Sequence, residues 1–256
     1  MSIVSDWLSS NDIDTNAEKL ELLTMFKNTV LEKNKVMNLT AITDSKDFDI
    51  KHIIDSLTLL PLIPPGSEVI DVGTGAGFPG IVLKIMRDDI KLTLMDSRKK
   101  RIDFLEEAVH KLNLTDVKLI NARSEEWAKK NPVRFDICTA RAVAELSKLV
   151  TYTLPLLKEG GSLLAMKGPD IQNELQKAKP AIKKHGGSII DIKTIEISKG
   201  LKHSIIVIRN EKQKADTGNR TREPLPYQGS ALPTELYQHI TKESLAYVTK
   251  LCQGLP

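Results

Sequence analysis

The chain has 256 residues, 41% hydrophobic and 27% charged, enough to bury one sizeable core and carry a small appendage. A formal net charge of +4 is compatible with a nucleic-acid partner without requiring one, and 4% aromatic residues exclude extended base stacking of the single-strand-binding kind. Cys138 and Cys252 give neither a metal-ligand spacing nor a disulfide framework, no apolar run approaches the roughly 18 residues that span a bilayer, and the start carries no basic leader, so a reduced, cytoplasmic protein is expected.

The first predicted element covers residues 16–37, where Leu20, Leu23, Phe26, Val30 and Leu31 form a helical stripe. A second helix is expected over 48–62. On it His52, Asp55 and Ser56 stand at i, i+3 and i+4 and share a face. Alone, such a cluster reads as a surface hydrogen-bond or cap arrangement. Its place just before the first strand puts it on the rim of an active site. Pro64, Pro65 and Gly66 then break the chain, closing an N-terminal helical extension over 1–65.

Strands and helices alternate through the next segment, 66–209. Strands are expected at 68–72, 91–95, 117–121, 135–140 and 162–166, with helices at 79–86, 98–112, 145–157 and 171–184. Such a series builds a parallel sheet. Gly160 and Gly161 are expected to separate helix from strand. Two final runs, 188–197 and 203–208, are joined through Ser198, Lys199, Gly200 and Leu201, a link short enough to demand an antiparallel hairpin. Residues 210–256 differ in texture, with three of the four tyrosines and four of the twelve prolines. They read as a tail in which a linker precedes one amphipathic helix at 235–251.

The densest chemical signal is Asp71 to Gly80, Asp-Val-Gly-Thr-Gly-Ala-Gly-Phe-Pro-Gly, at the junction of the first strand and its helix. Glycines 73, 75, 77 and 80 let a ligand approach main-chain N–H groups at a helix start. Gly75, Gly77 and Gly80 fit a dinucleotide fingerprint, and Asp96 follows Gly75 by 21 residues, so NAD is admissible by spacing. The same residues resemble the S-adenosylmethionine site of Rossmann-like methyltransferases, where Asp96, an acceptor-only carboxylate, would receive both ribose hydroxyls. A terminal antiparallel hairpin favours the methyltransferase. The expected fold is therefore α/β, a Rossmann-like class I methyltransferase with a mostly parallel seven-stranded sheet.

Further candidates stand at the carboxyl ends of strands, where open α/β sheets bind ligands. These are Arg123, Ser124 and Glu125 after the third strand, Arg141 after the fourth and Lys167 after the fifth. The run from Ser97 to Arg101, the densest basic stretch, is a solvated helix face or a phosphate holder. No Asn/Asp-Pro-Pro-Tyr ends the fourth strand, and Cys138 lies within it instead of at its tip. Methylation of exocyclic amines or of pyrimidine carbon 5 is thus disfavoured.

Asn34 with Asn38, Leu39 and Thr40, then His52, Asp55 and Ser56, the glycine loop, Asp96–Ser97, Arg141–Ala142 and Lys167–Gly168 together resemble the glucose-inhibited division protein B family, over roughly residues 16–208. That family comprises bacterial 16S rRNA guanine-N7 methyltransferases. The resemblance implies S-adenosylmethionine held by Gly73, Phe78, Ser124, Glu125 and Arg141, with Asp96 at the ribose. Asp71, Gly75, Gly77 and Ser97 complete the expected cofactor set. The implied substrate is one guanine in a loop of 16S rRNA, near the decoding site of the small subunit. Attack by N7 needs no general base, so His52, Asp55, Arg123 and Lys167 are expected to position the target, with no metal and with the enzyme a monomer. Competing readings are a small-molecule methyltransferase of the same fold, an NAD-dependent oxidoreductase and a non-catalytic RNA-binding module. The family pattern does not extend over 210–256.

Overall fold

The computed structural model describes residues 2–131 and 134–211. The expected linker and helix of the tail lie outside the described residues. Helix α1 (Ser2–Ser10) precedes α2 (Ala17–Met37), which starts where the Asn16 side chain accepts the Lys19 amide. It ends at Asn38, whose left-handed backbone (φ 50°) closes the helix onto Asn34. Asparagine tolerates that conformation better than most residues. Sequence periodicity had not marked α1, because nine residues offer only two turns of pattern. Its Val4 and Leu8 are nonetheless fully buried.

The single helix expected over 48–62 is segmented. It consists of α3 (Ser45–Phe48), a π-helical turn (Asp49–Ile54), α4 (Asp55–Leu57) and a 3-10 turn (Leu60–Leu62). Pro61, lacking an N–H, forces the late change of winding. At the other end, Lys27 Nζ pairs with Asp49 Oδ1 at 2.7 Å and donates to the Ser45 carbonyl at 2.7 Å, both charges being buried. That pair locks the π turn onto α2, so local winding yields to tertiary contact. π-Helical turns of this kind concentrate at functional sites.

Beyond it the elements are β1 (Glu68–Val72), α5 (Gly80–Met86), β2 (Lys91–Asp96), α6 (Lys99–Lys111), β3 (Val117–Asn121), α7 (Ser124–Lys130), β4 (Phe135–Arg141), α8 (Leu146–Thr153), a 3-10 turn (Leu154–Leu156), β5 (Leu157–Lys167), α9 (Gln172–Lys184), β6 (Gly187–Ser198) and β7 (Leu201–Asn210). The sheet order is β3-β2-β1-β4-β5-β7-β6, with β7 antiparallel to both its neighbours. The chain reverses its direction of winding between β1 and β4, which opens a crevice at their carboxyl ends. This is a Rossmann-like α/β fold with seven strands, mostly parallel.

The glycine pair 160–161 does not separate helix from strand; it lies inside β5. A Cβ on Gly161 would come within 3.0 Å of the carbonyl oxygens of Phe135, Asp136 and Lys158, and the β4–β5 register shifts between Phe135 and Ile137. Only glycine fits so close a backbone approach, a strand bulge that sequence alone reads as a break.

Strand alternation divides the core in two. Val69, Leu92, Leu94, Ile137, Leu164 and Val207 face one layer with α1, α2, α5 and α6. Ile70, Met95, Cys138, Leu163, Ala165 and Ile206 face the other, with α8 and α9. The same alternation puts Asp71, Asp96, Thr139 and Arg141 on the first face, beneath the N-terminal helices. Those helices therefore roof the strand ends.

If α1 belongs to that core, Leu8→Ala lowers stability by about 2–5 kcal/mol, read from urea unfolding. A loss below about 0.5 kcal/mol would show that α1 adds nothing to it.

Candidate functional site

The carboxylate of Asp71, next to last in β1, has no exposure and ties the glycine loop to β4. Oδ2 accepts the Gly80 amide at 3.0 Å, and Oδ1 accepts the Thr139 hydroxyl of β4 at 2.9 Å. Burial pushes its carboxyl up, against the pull of the Thr74 and Thr139 hydroxyls and the Gly80 amide. Asp71 thus shapes the loop from beneath. Gly73 (φ +69°) presses on Val143, whose Cγ2 would lie 2.7 Å from any added Cβ. Gly75 (φ +62°) is different: a Cβ there would find nothing nearer than Arg101 Nη1 and the Gly73 carbonyl, both at 3.9 Å. Gly77 is packed tightly beneath Ile81.

Open space at Gly75 borders Asp96, at the tip of β2. Its Oδ2 accepts the Gly75 amide at 3.1 Å and Arg101 Nη1 at 3.0 Å, and its Oδ1 accepts the Arg98 amide at 2.9 Å. The Asn121 side-chain amide donates to the Asp96 carbonyl. A carboxylate held in this way, next to a backbone with room beside it, suits a nucleoside whose ribose presents two adjacent hydroxyls. The residues present fit such a group. Ser97 is exposed beside it.

Arg141, at the tip of β4, is the hub of the neighbouring cluster. Its Nη1 donates to Asp55 Oδ2 at 2.9 Å and to the Lys51 carbonyl at 3.0 Å, and its Nη2 meets His52 Nδ1 at 3.0 Å. The guanidinium carbon lies 5.3 Å from the Phe78 ring centroid, and the His52 ring stacks on Phe78 at 4.7 Å with 15° between planes. Phe78 also contacts Phe26 and Phe48. The face shared by His52 and Asp55 is therefore buried against the strand tips. Ser56 donates to the His52 carbonyl and takes no further part.

Protonation follows from donor counting. Arginine only donates, so His52 Nδ1 must accept, which leaves the proton on Nε2 to be given to Thr40 Oγ1 at 2.7 Å. Burial and the Arg141 charge push His52 down to about 4. Asp55 is held below the ordinary carboxylate value: burial raises it, but the His203 hydrogen bond and the Arg141 charge outweigh that. His203 of β7 reaches Asp55 Oδ1 with Nδ1, and its Nε2 lies 3.3 Å from Thr58 Oγ1. The Asn34 side chain makes two hydrogen bonds to the Thr40 backbone at 2.9 Å and so fixes the residue on which His52 rests.

Among the described residues, the remaining candidates make no contact with the Arg141 cluster. Arg123 is exposed at the start of α7 and meets no acidic partner among the described residues. Ser124 is buried beneath it, with Glu125 alongside at 3.4 Å. Lys167 lies on the second face of the sheet, where Nζ donates to Glu174 and to the Ala144 carbonyl, both at 2.6 Å. It lines an open depression of about 330 Å³ with Glu145, Asp170 and Lys177, and the structure does not bring it to Arg141. Cys138 is fully buried, and burial and Asp71 push its thiol well up, so it offers no thiolate. Among the described residues no cluster of His, Cys, Asp and Glu is arranged to hold a metal, and no helix is long and apolar enough to cross a membrane.

Thr58, Thr139 and His203 were not singled out in the sequence, whereas Thr40 stood in the family motif and Arg101 in the basic run. Thr139 was legible, two residues before Arg141 and hence on its face. His203 was not: its strand pairs with β5, not with β4, and it meets Asp55 across 148 residues.

Comparison with known proteins follows the same lines. The family model described as rRNA small subunit methyltransferase G matches residues 19–204. A protein of Clostridium botulinum (strain Loch Maree / Type A3), named ribosomal RNA small subunit methyltransferase G, is 41% identical over 212 residues, covering 80% of this chain and 89% of its own length. One of the same name from Clostridium perfringens (strain 13 / Type A) is 40% identical, covering 83% and 93%. Among solved structures, NSun6 from Pyrococcus horikoshii with SFG matches with a TM-score of 0.53 at 13% identity, over 68% of this chain and 57% of that one. TYW2 of P. horikoshii in complex with MeSAdo gives 0.50 at 14% identity, over 63% of each chain. These two share the fold.

The depressed His52 has a consequence for stability. Unfolding restores a value near 6.5, so the unfolded chain binds the extra proton first as pH falls. Stability contributed by neutral His52 is complete above about pH 6.5 and is lost as pH falls toward about 4, amounting to about 3 kcal/mol. In His52→Gln the slope of unfolding free energy against pH should flatten across that window. An unchanged slope would mean that His52 titrates normally in the folded protein.

Proposed function

Since this chain belongs to the rRNA small subunit methyltransferase G family, we propose that it methylates N7 of one guanine in a loop of 16S rRNA, with S-adenosylmethionine as donor. The observation that carries the reading is the open side of Gly75 beside the Asp96 carboxylate, at the sheet's switch point and next to the Phe78–Arg141 cluster. In this reading Asp96 receives the ribose hydroxyls, Gly73 and Gly75 carry the backbone that faces the cofactor, and Ser97, Ser124 and Glu125 border the nucleoside. Antiparallel β7 argues against the dinucleotide alternative, which would continue with parallel strands.

When bound, S-adenosylmethionine would supply a sulfonium methyl group open to in-line attack by N7, the electron pair of the broken C–S bond staying on sulfur, while Asp96, Gly73 and Gly75 would hold its nucleoside. No proton leaves guanine N7, so the protein needs no base. His52 matches that requirement, because both its ring nitrogens are committed and it is neutral. Its work, with Asp55, is to hold Arg141 and the face of Phe78 in one place, which is positioning catalysis. Guanine N7 lies on the deep major-groove edge of A-form RNA, so the target stands in an unpaired segment. Exposed Arg123 suits a phosphate of that segment, and Lys167 would join it only by leaving Glu174. We take the enzyme to act as a cytoplasmic monomer on the small subunit or its rRNA.

Incubation of the purified protein with labelled S-adenosylmethionine and unmodified small subunits, followed by mass-spectrometric mapping, should find one methyl group on one guanine N7. Methylation of another atom, or none, would overturn the proposal. Arg141→Lys keeps the charge but cannot reach Asp55, His52 and the Lys51 carbonyl together. It should weaken S-adenosylhomocysteine binding about tenfold with the circular dichroism spectrum intact, one broken charge-assisted hydrogen bond being worth that much. Unchanged binding would remove Arg141 from the cofactor site.

A further inference from the structure

Asp96 carries more donors than its proposed ligand can tolerate. A carboxylate offers about four lone-pair positions, two on each oxygen. Oδ2 already accepts both the Gly75 amide and Arg101 Nη1, whereas Oδ1 accepts the Arg98 amide alone. Two ribose hydroxyls, one to each oxygen, find room on Oδ1 and none on Oδ2. One existing donor must go. The Gly75 amide is held in the loop that Asp71 pins, which leaves Arg101, a side chain on the first turn of α6 that is itself 28% exposed while Asp96 is 3% exposed.

Displaced, the guanidinium does not lose its charge. It emerges into the densest basic stretch of the chain, where Arg98 and Lys100 are exposed and without acidic partners among the described residues, while Lys99 is occupied by Asp103. Arg123 stands exposed at the end of the adjacent strand. We propose that Arg101 is a cofactor-controlled phosphate contact: it caps Asp96 in the free enzyme and, once the ribose claims that carboxylate, turns to an RNA phosphate beside Arg98 and Lys100. This inference rests on the proposed S-adenosylmethionine reading.

Two consequences follow, one for each ligand. The cofactor competes with an internal cation, so removing that cation tightens nucleoside binding. RNA gains one cationic contact when the cofactor is present, and linkage requires RNA to raise cofactor affinity by the same factor. The enzyme therefore binds RNA best when loaded, without any movement of the backbone.

The test uses S-adenosylhomocysteine, which binds without turnover, and unmodified small subunits. Calorimetry should show Arg101→Gln binding S-adenosylhomocysteine about tenfold more tightly than wild type, the gain expected when one charge-assisted hydrogen bond need not be broken. For wild type, S-adenosylhomocysteine should raise subunit affinity and steepen its dependence on log salt by about one, the signature of one more phosphate contact. Both responses should vanish in Arg101→Gln. Unimproved binding in the variant, or a wild-type salt slope indifferent to S-adenosylhomocysteine, would overturn the inference while leaving the methyltransferase reading intact; the second measurement needs no variant. Failure of wild type to bind S-adenosylhomocysteine would overturn both.

Discussion

A guanidinium that never loses its charge, set at the tip of a central strand and under a helical roof, is the constraint from which the site is built. Arg141 is partly withdrawn from water, and such a charge is tolerated only with partners. They come from a different part of the chain: Asp55, His52 and the Lys51 carbonyl, all on the short helical stretch before β1. Satisfying Arg141 therefore docks the N-terminal elements on the sheet. It also explains why winding changes there, since the π turn carries His52 and leads directly into Asp55. Phe78 packs against both the ring of His52 and the guanidinium, which also touch each other, and so the glycine loop is tied to the same cluster.

Two aspartates on the same sheet face take opposite roles because their surroundings differ. Asp71 is fully buried, with one oxygen holding the loop and the other holding β4, so its carboxylate sets loop shape. Asp96 stands where the backbone opens, and one of its three donors is a partly exposed side chain, not a main-chain amide. A carboxylate that can exchange a donor is suited to binding, and one that cannot is suited to scaffolding. Chemistry then needs little more than orientation, because methylation of an imidazole-type nitrogen releases no proton at the site of attack.

Much of this was legible in residue order. The alternation that sends Val69, Leu92, Leu94 and Ile137 into one core layer also assigns Asp71, Asp96, Thr139 and Arg141 to that layer's edge. The parallel series and its terminal hairpin followed from segment lengths and one short link. Three features were not legible, each for a physical reason. Gly160 and Gly161 read as a break because a bulge and a loop require the same residue. The helix over 48–62 lost its regular winding to a buried Lys27–Asp49 pair that joins residues 22 apart in sequence. His203 became part of the Arg141 cluster only through β7 lying between β5 and β6, and no local pattern in its strand distinguishes it from a core residue. Lys167 is the converse case, a basic residue at a strand tip that alternation turns to the other face.

Asp96 and the Phe78–Arg141 cluster are proposed as the two ends of one cofactor site. A crystal structure of the protein with S-adenosylhomocysteine bound tests that claim most directly. The ribose hydroxyls are predicted to lie within hydrogen-bond distance of both Asp96 oxygens, with the nucleoside over Gly75 and the sulfur on the side of Phe78 and Arg141. A ligand bound elsewhere, or one that leaves the Asp96 carboxylate untouched, would contradict it.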